Sequence, residues 1–243
     1  MEHMLQTVSY MGLPLLCAIV LHEYAHGWAA DKCGDTTARL QGRLTLNPLA
    51  HVDLFGSIIL PVICLLLPGG FLLGWAKPVP VDPGNMSHPR RDMALVAAAG
   101  PAMNLILAVG SALVLLLMFL VDPTLSMRQT LRPSTPPDSV AAIFVVPIAA
   151  MALYSVMINV FLALFNLIPI PPLDGGRIVT CLLPAKPALA LLRLEPYGML
   201  ILVGLIAFDK ELRVIHTITS TFAAGLSGTI LSTVLGFGTG ATE

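Results

Sequence analysis

Charge is scarce in this sequence. Only 11% of its 243 residues are Asp, Glu, Lys or Arg, against about 25% in ordinary soluble proteins. A soluble fold of this size could not cover its surface with so few charges. Soluble enzymes, nucleic-acid binders and disordered regulators are therefore excluded. Neither sign dominates: 13 basic and 14 acidic residues give a net charge of −1, which leaves no basic surplus for nucleic acid. Paired cysteines are also missing. Cys17, Cys33, Cys64 and Cys181 are scattered and read as apolar packing residues, neither a disulfide framework nor a thiolate metal site. The N-terminus has no positive region followed by a small-residue cleavage site, so no removable signal peptide is expected. What remains is apolar: 56% hydrophobic residues and a mean hydropathy of +0.84. This is the composition of a polytopic membrane protein.

The few charges divide the chain into apolar runs. The first is charge-free from Met4 to Leu21 and continues apolar through Ala30. At 1.5 Å per residue its 27 residues make about 40 Å of helix, enough to cross a bilayer with tilt. Leu54–Ala76, Met93–Val121, Ser139–Leu173, Tyr197–Phe208 and Val214–Thr242 follow, the last weakened by Gly, Ser and Thr. The second run contains Pro61, Pro68, Gly69 and Gly70 and is basic on both sides, with Lys32, Arg39 and Arg43 before it and Lys77, Arg90 and Arg91 after it. Positive flanks belong to the cytoplasm. A re-entrant hairpin keeps both there, whereas a single crossing would separate them. The loop between Asp122 and Asp138 is then external, and the basic segment from Arg177 to Arg193 is cytoplasmic. Thr37–Leu46 and Gly74–Val81 alternate somewhat and predict short strands. No internal repeat is present, and no soluble stretch is long enough for an added domain.

The sharpest feature is His22-Glu23-Tyr24-Ala25-His26 at the inner end of the first run. Residues four apart share one helix face, so two imidazoles can hold one tetrahedral zinc. Glu23 follows His22 directly and can serve as base toward a water in the same site. Charged groups at membrane depth cost a few kcal/mol and need a partner or a use. The bland alternative is a helix end whose polar groups reach the interface. A catalytic zinc requires a third protein ligand. Asp174 is the candidate, in Asn166-Leu-Ile-Pro-Ile-Pro-Pro-Leu-Asp-Gly-Gly-Arg177. Prolines 169, 171 and 172 break any helix there, and broken backbone at membrane depth lines a cavity or is buried in protein. The competing reading of Asp174 is an Asp-Gly turn capping a cytoplasmic helix. His51 and Asp53 read as loop hydrogen bonding; the alternatives are a second metal site or a place on the cavity lining. His88 reads as solvated. Arg177 either pairs with Asp174 or marks the cytoplasmic side.

Three separated motifs, His22–His26, Ala99-Gly100-Pro101-Ala102-Met103-Asn104 and Asn166–Arg177, together resemble the site-2 protease family of intramembrane zinc metalloproteases. The resemblance runs from about residue 10 to 190. Gly42–Pro48 and Gly74–Pro78 look like a compact prokaryotic branch without accessory domains. The resemblance implies that His22, His26 and Asp174 bind zinc, one ion per chain, and that Glu23 is the catalytic base. It also implies that Asn166 holds unwound substrate, where an amide offers both a donor and an acceptor; the alternative is an asparagine that packs between helices. Asn104 is a weaker candidate for substrate contact; it can instead bond across helices. Two departures from many relatives are expected: no PDZ domain, and a zinc helix that comes first.

The fold expected is therefore an all-α polytopic membrane protein of five to six transmembrane helices, with a re-entrant hairpin and short β-strands after the zinc helix. Residues 1–243 form one membrane-embedded domain: zinc helix 4–30, strand and re-entrant region 31–92, core helices 93–121 and 139–168, the Asp-Gly motif 166–177, and C-terminal helices 194–236. The expected function is hydrolysis of peptide bonds in or near transmembrane segments of protein substrates, within a prokaryotic inner membrane and with the site toward the cytoplasm. The lipid bilayer is a partner and nucleic acid is not. The alternative is a non-hydrolytic zinc-binding membrane protein, such as a metal transporter or sensor. A scaffold that has lost proteolysis is a third class, against which the intact Glu23 argues.

Overall fold

The structure, a computed structural model, describes residues 2–59, 63, 74–123, 125, 130, 140–198, 200, 201, 204 and 214–236. Three long helices make its centre: α1 (Glu2–Lys32), α3 (Pro89–Val121) and α4 (Val140–Asn166). Between the first two lie the single turn α2 (Thr37–Leu40), a 3₁₀ turn at Pro48–His51, a π-helical stretch at Leu54–Ile59 and a 3₁₀ turn at Pro83–Asn85. After α4 come α5 (Asp174–Leu182), α6 (Ala185–Leu194), a 3₁₀ turn at Glu195–Tyr197 and α7 (Val214–Leu235).

The helices meet along small residues. On α3, Ala97, Gly100, Asn104, Ala108 and Ala112 recur every three or four positions and are buried. On α4, Ala149, Ala152, Val156, Val160 and Ala163 do the same. In lipid there is little hydrophobic drive between helices, so close backbone approach and interhelical hydrogen bonds hold the bundle together. The opposite faces carry exposed Ile106, Leu113, Leu117 and Leu120 on α3 and Phe144, Ile148 and Phe161 on α4. α7 packs on α3 and α4, and α5 packs on α3.

Two expectations are corrected. Among the described residues there is no strand, and two helices, α3 and residues 143–166 of α4, are long and apolar enough to cross a membrane, not five to six. Thr37–Leu46 is a helical turn followed by Gly42 at φ +65°, closed by Arg43 N–H on Ala38 O at 2.8 Å. Gly74–Val81 is extended but pairs with no strand. Pro78 and Pro80 have no N–H to give, and several of the other backbone groups bond side chains and turns. Arg43 donates to the carbonyls of Lys77 and Pro78 (2.8 and 3.1 Å), and Lys77 N–H donates to His51 O (2.9 Å). The proposed re-entrant hairpin lies mostly outside the described residues. At its margins Trp75 N–H donates to Gly56 O (3.1 Å) and Ser57 Oγ to Trp75 O (2.8 Å), so the chain enters and leaves that run at one place. The Tyr197–Phe208 run also lies mostly outside them.

Buried Asp35 ties the end of α1 to the segment before α3. It accepts from the Thr37 and Asp82 backbone N–H groups (3.1 and 2.7 Å), from the Thr37 hydroxyl (2.5 Å) and from Asn85 Nδ2 (3.2 Å). Burial alone would raise its pKa. The donors outweigh burial and hold the carboxyl below the ordinary range. A depressed carboxyl contributes stability above its unfolded pKa of about 4 and loses it as pH falls through the folded value. Asp35→Ala should cost about 2 kcal/mol, read as a lowered melting temperature in detergent at pH 7. The difference between the two proteins should shrink as the pH is taken below about 4.

Candidate metal centre

His22 and His26 stand one helical turn apart on α1 and turn their Nε2 atoms toward the same point, 3.1 Å from each other. Asp174, the first residue of α5, completes the cluster. Its Oδ2 is 3.2 Å from His22 Nε2, and its Oδ1 is 3.3 Å from His26 Nε2. All three residues are buried, with 8%, 8% and 6% of their surface exposed.

The outer ring nitrogens explain what the inner ones present. His26 Nδ1 lies 2.7 Å from Val96 O, an obligate acceptor, so the hydrogen is on Nδ1 and Nε2 carries a lone pair. His22 Nδ1 lies 2.5 Å from Asn104 Oδ1, with the same consequence. Two lone pairs and a carboxylate therefore converge, and Asp174 Oδ2 is buried without a hydrogen-bond donor. Such a group is repulsive unless a cation joins it. Ligands about 2.0–2.1 Å from a tetrahedral zinc stand about 3.3 Å from one another. The 3.1 Å between the two nitrogens matches that edge, and each nitrogen has one oxygen of the Asp174 carboxylate at 3.2 or 3.3 Å, so the residues fit a metal held by two nitrogens and a carboxylate.

Each element is positioned by a sequence feature. α3 comes against the imidazoles at Gly100, where a Cβ would stand 2.4 Å from His26 Nε2 and 2.6 Å from His22 Nε2. α5 starts beneath the Pro-rich turn. Cβ atoms at Gly175 and Gly176 would meet Leu167 O at 2.2 Å and the Pro171 nitrogen at 2.5 Å. The two glycines thus let the chain fold back and deliver Asp174. Arg90 of α3 fastens the far end of α5 by donating to Cys181 O (3.0 Å) and Leu183 O, where the helix dipole favours a cation.

A cavity of about 390 Å³ opens on the cluster, lined among others by Glu23, Trp75, Val79, Phe165 and Asn166. Glu23 Oε2 accepts the Val79 N–H at 2.9 Å, which leaves Oε1 outside that bond. Asn166 Nδ2 donates to Leu162 O at 3.0 Å. Asn104 does not line this cavity; its amide bonds His22 from behind. Arg177 lines the cavity and faces Glu195 at 3.7 Å rather than pairing with Asp174. His51 is buried and its Nε2 donates to Thr45 O at 2.9 Å, while Asp53 accepts the Gly56 N–H at 2.7 Å, so both serve the loop. His88 is the N-cap residue of α3, and its N–H donates to Asp92 Oδ2 at 2.8 Å. Asn159 was not among the residues expected at the site; its Oδ1 accepts from Asn104 Nδ2 at 2.8 Å. An amide in the middle of an apolar run was the available signal.

Residues 10–207 match the model of peptidase family M50. The chain belongs to that family. It is therefore a membrane-embedded metalloprotease of the site-2 protease type. It is 38% identical over 201 residues to YwhC of Bacillus subtilis (strain 168), named a putative zinc metalloprotease, across 83% of this chain and 81% of the relative. It is 31% identical over 208 residues to Rip2 of Mycolicibacterium smegmatis (strain ATCC 700084 / mc(2)155), which bears the same description, across 83% and 70%. No solved structure matches it.

Gly100→Val should abolish metal binding while leaving the helical content in place, because no rotamer avoids the imidazoles. Metal analysis and far-ultraviolet circular dichroism of the purified variant check both parts.

Proposed function

We propose that this M50 peptidase is a zinc endopeptidase that cuts peptide bonds in or near transmembrane segments of protein substrates. The observation that carries the reading is the convergence of His22 Nε2, His26 Nε2 and the Asp174 carboxylate within 3.1–3.3 Å, with Glu23 in the cavity beside them. The zinc named for the relatives YwhC and Rip2 suits two imidazoles and a carboxylate. Zinc supplies Lewis acidity toward the scissile carbonyl when bound.

The chain's own groups do the rest. Val79 N–H holds Glu23 Oε2, which leaves Oε1 outside that bond for proton transfer. Glu23 Oε1 takes a proton from the attacking water as its oxygen bonds to the carbonyl carbon. The same oxygen returns that proton to the amide nitrogen as the C–N bond breaks. Asn166, on the cavity wall, offers its amide to backbone groups that a substrate helix frees on unwinding. Asn104 positions His22 from outside the cavity. The surrounding side chains Val79, Val81, Met93, Val96 and Phe165 restrict bulk water and suit an apolar substrate segment.

The basic residues Lys32, Arg39, Arg43, Lys77, Arg90 and Arg177 gather at the ends of the helices that carry the cluster. By the positive-inside rule, this charge supports a centre toward the cytoplasmic face of a prokaryotic inner membrane. A metal transporter would need these ligands but has no use for a carboxylate base beside them.

Glu23→Gln keeps the metal ligands and removes the base. In detergent or liposomes it should retain zinc at the wild-type ratio and cleave a transmembrane-segment substrate at least about 100-fold more slowly. Cleavage at the wild-type rate would exclude the proton-transfer role of Glu23.

A further inference from the structure

Behind His22 the amide chain continues past Asn104 to Asn159, which the chemistry above does not use. His22 Nδ1 meets Asn104 Oδ1 at 2.5 Å, and Asn104 Nδ2 meets Asn159 Oδ1 at 2.8 Å and Ala18 O at 3.4 Å. Asn159 Nδ2 in turn meets Ser155 O at 2.9 Å and Ser155 Oγ at 3.1 Å. Asn104 and Asn159 are 0% and 1% exposed, so no solvent satisfies them.

Only one assignment of amide nitrogen and oxygen is consistent with this chain. Ser155 O is a backbone carbonyl and can only accept. Asn159 must therefore aim its Nδ2 at Ser155, which sends its Oδ1 toward Asn104. Asn104 must answer with Nδ2, and Ala18 O demands the same. Its Oδ1 is then left facing His22, which must carry hydrogen on Nδ1. Turning either amide over would set two acceptors against each other inside an apolar bundle, at a cost of the order of an unmade buried hydrogen bond.

We propose that Asn159 is a positioning residue for the metal centre: through Asn104 it fixes the tautomer and ring orientation of His22, so that Nε2 is presented as a ligand. The proposal rests on the reading of His22 as a metal ligand. The relay runs across three helices, α4 to α3 to α1, and its anchor is a backbone carbonyl that no side-chain rotation can reverse. A ligand imidazole held through its other nitrogen is pre-oriented and more basic, and loss of such an outer partner costs 10–100-fold in metal affinity. Asn159 does not touch the metal ligand and acts one residue further out, so the lower end applies.

The test is the zinc dissociation constant of the full chain in detergent, measured by chelator competition for the wild type, Asn159→Leu, Asn159→Ala and Val160→Ala. Val160 is the neighbouring buried residue on α4 and packs in the apolar core without belonging to the relay. Both Asn159 variants should bind zinc about tenfold more weakly, with Val160→Ala at the wild-type affinity despite its lost packing. Wild-type affinity in either folded Asn159 variant overturns the relay and leaves the zinc reading intact. Equal weakening in Val160→Ala assigns the effect to packing and also overturns it. A wild type that binds no zinc removes the underlying reading itself. A measurement on the wild type alone guards against variants that do not fold: in the zinc-loaded, ¹⁵N-histidine-labelled protein the His22 Nδ1 proton should exchange slowly with water, and rapid exchange contradicts the relay.

Discussion

A buried polar atom in an apolar bundle must find a partner within the protein, and the arrangement of this molecule follows from meeting that demand around two imidazoles and one carboxylate. His26 hands its outer nitrogen to a backbone carbonyl of α3, and His22 hands its own to Asn104. Once those bonds are made, the inner nitrogens are both acceptors and stand 3.1 Å apart. The cluster is incomplete as a set of protein groups and complete as a set of ligands. α3 satisfies both rings because it comes so close to α1, and it comes that close because residue 100 has no side chain.

The same economy governs Asp174. A carboxylate delivered from a separate segment needs a chain that stops, turns and restarts at membrane depth. The prolines stop α4, and Gly175 and Gly176 allow α5 to begin directly under the turn. Arg90 then fastens the other end of α5 to the start of α3. The ligand from α5 and the ring partners from α3 are thus carried on elements bonded to each other, which limits how far the three donor atoms can drift apart.

Much of the centre was legible in the residues because its chemistry is local in sequence. His22, Glu23 and His26 fall on one stretch of one helix, and Asp174 follows an interruption that only a buried or cavity-lining segment tolerates. What was not legible depended on tertiary hydrogen bonds. Gly74–Val81 alternates like a strand, but its backbone groups are claimed by Arg43, His51, Gly56 and Glu23 before any strand could pair with them. Of the apolar runs, α3 and residues 143–166 of α4 are the ones long and apolar enough to span among the described residues, because most of Leu54–Ala76 and Tyr197–Phe208 lies outside them. Asn159 looks like any polar residue in an apolar run until α3 brings Asn104 against it. Arg177 and Glu195 are 18 positions apart, so their approach could only be seen once α5 and the turn after α6 were placed.

The central claim is that residues separated by about 150 positions form one metal site. Zinc per chain, measured on detergent-purified wild type beside His26→Ala and Asp174→Ala, tests it most directly. The account predicts about one zinc in the wild type and its loss in both variants while helical content is retained. Zinc kept at the wild-type ratio in folded Asp174→Ala would contradict it.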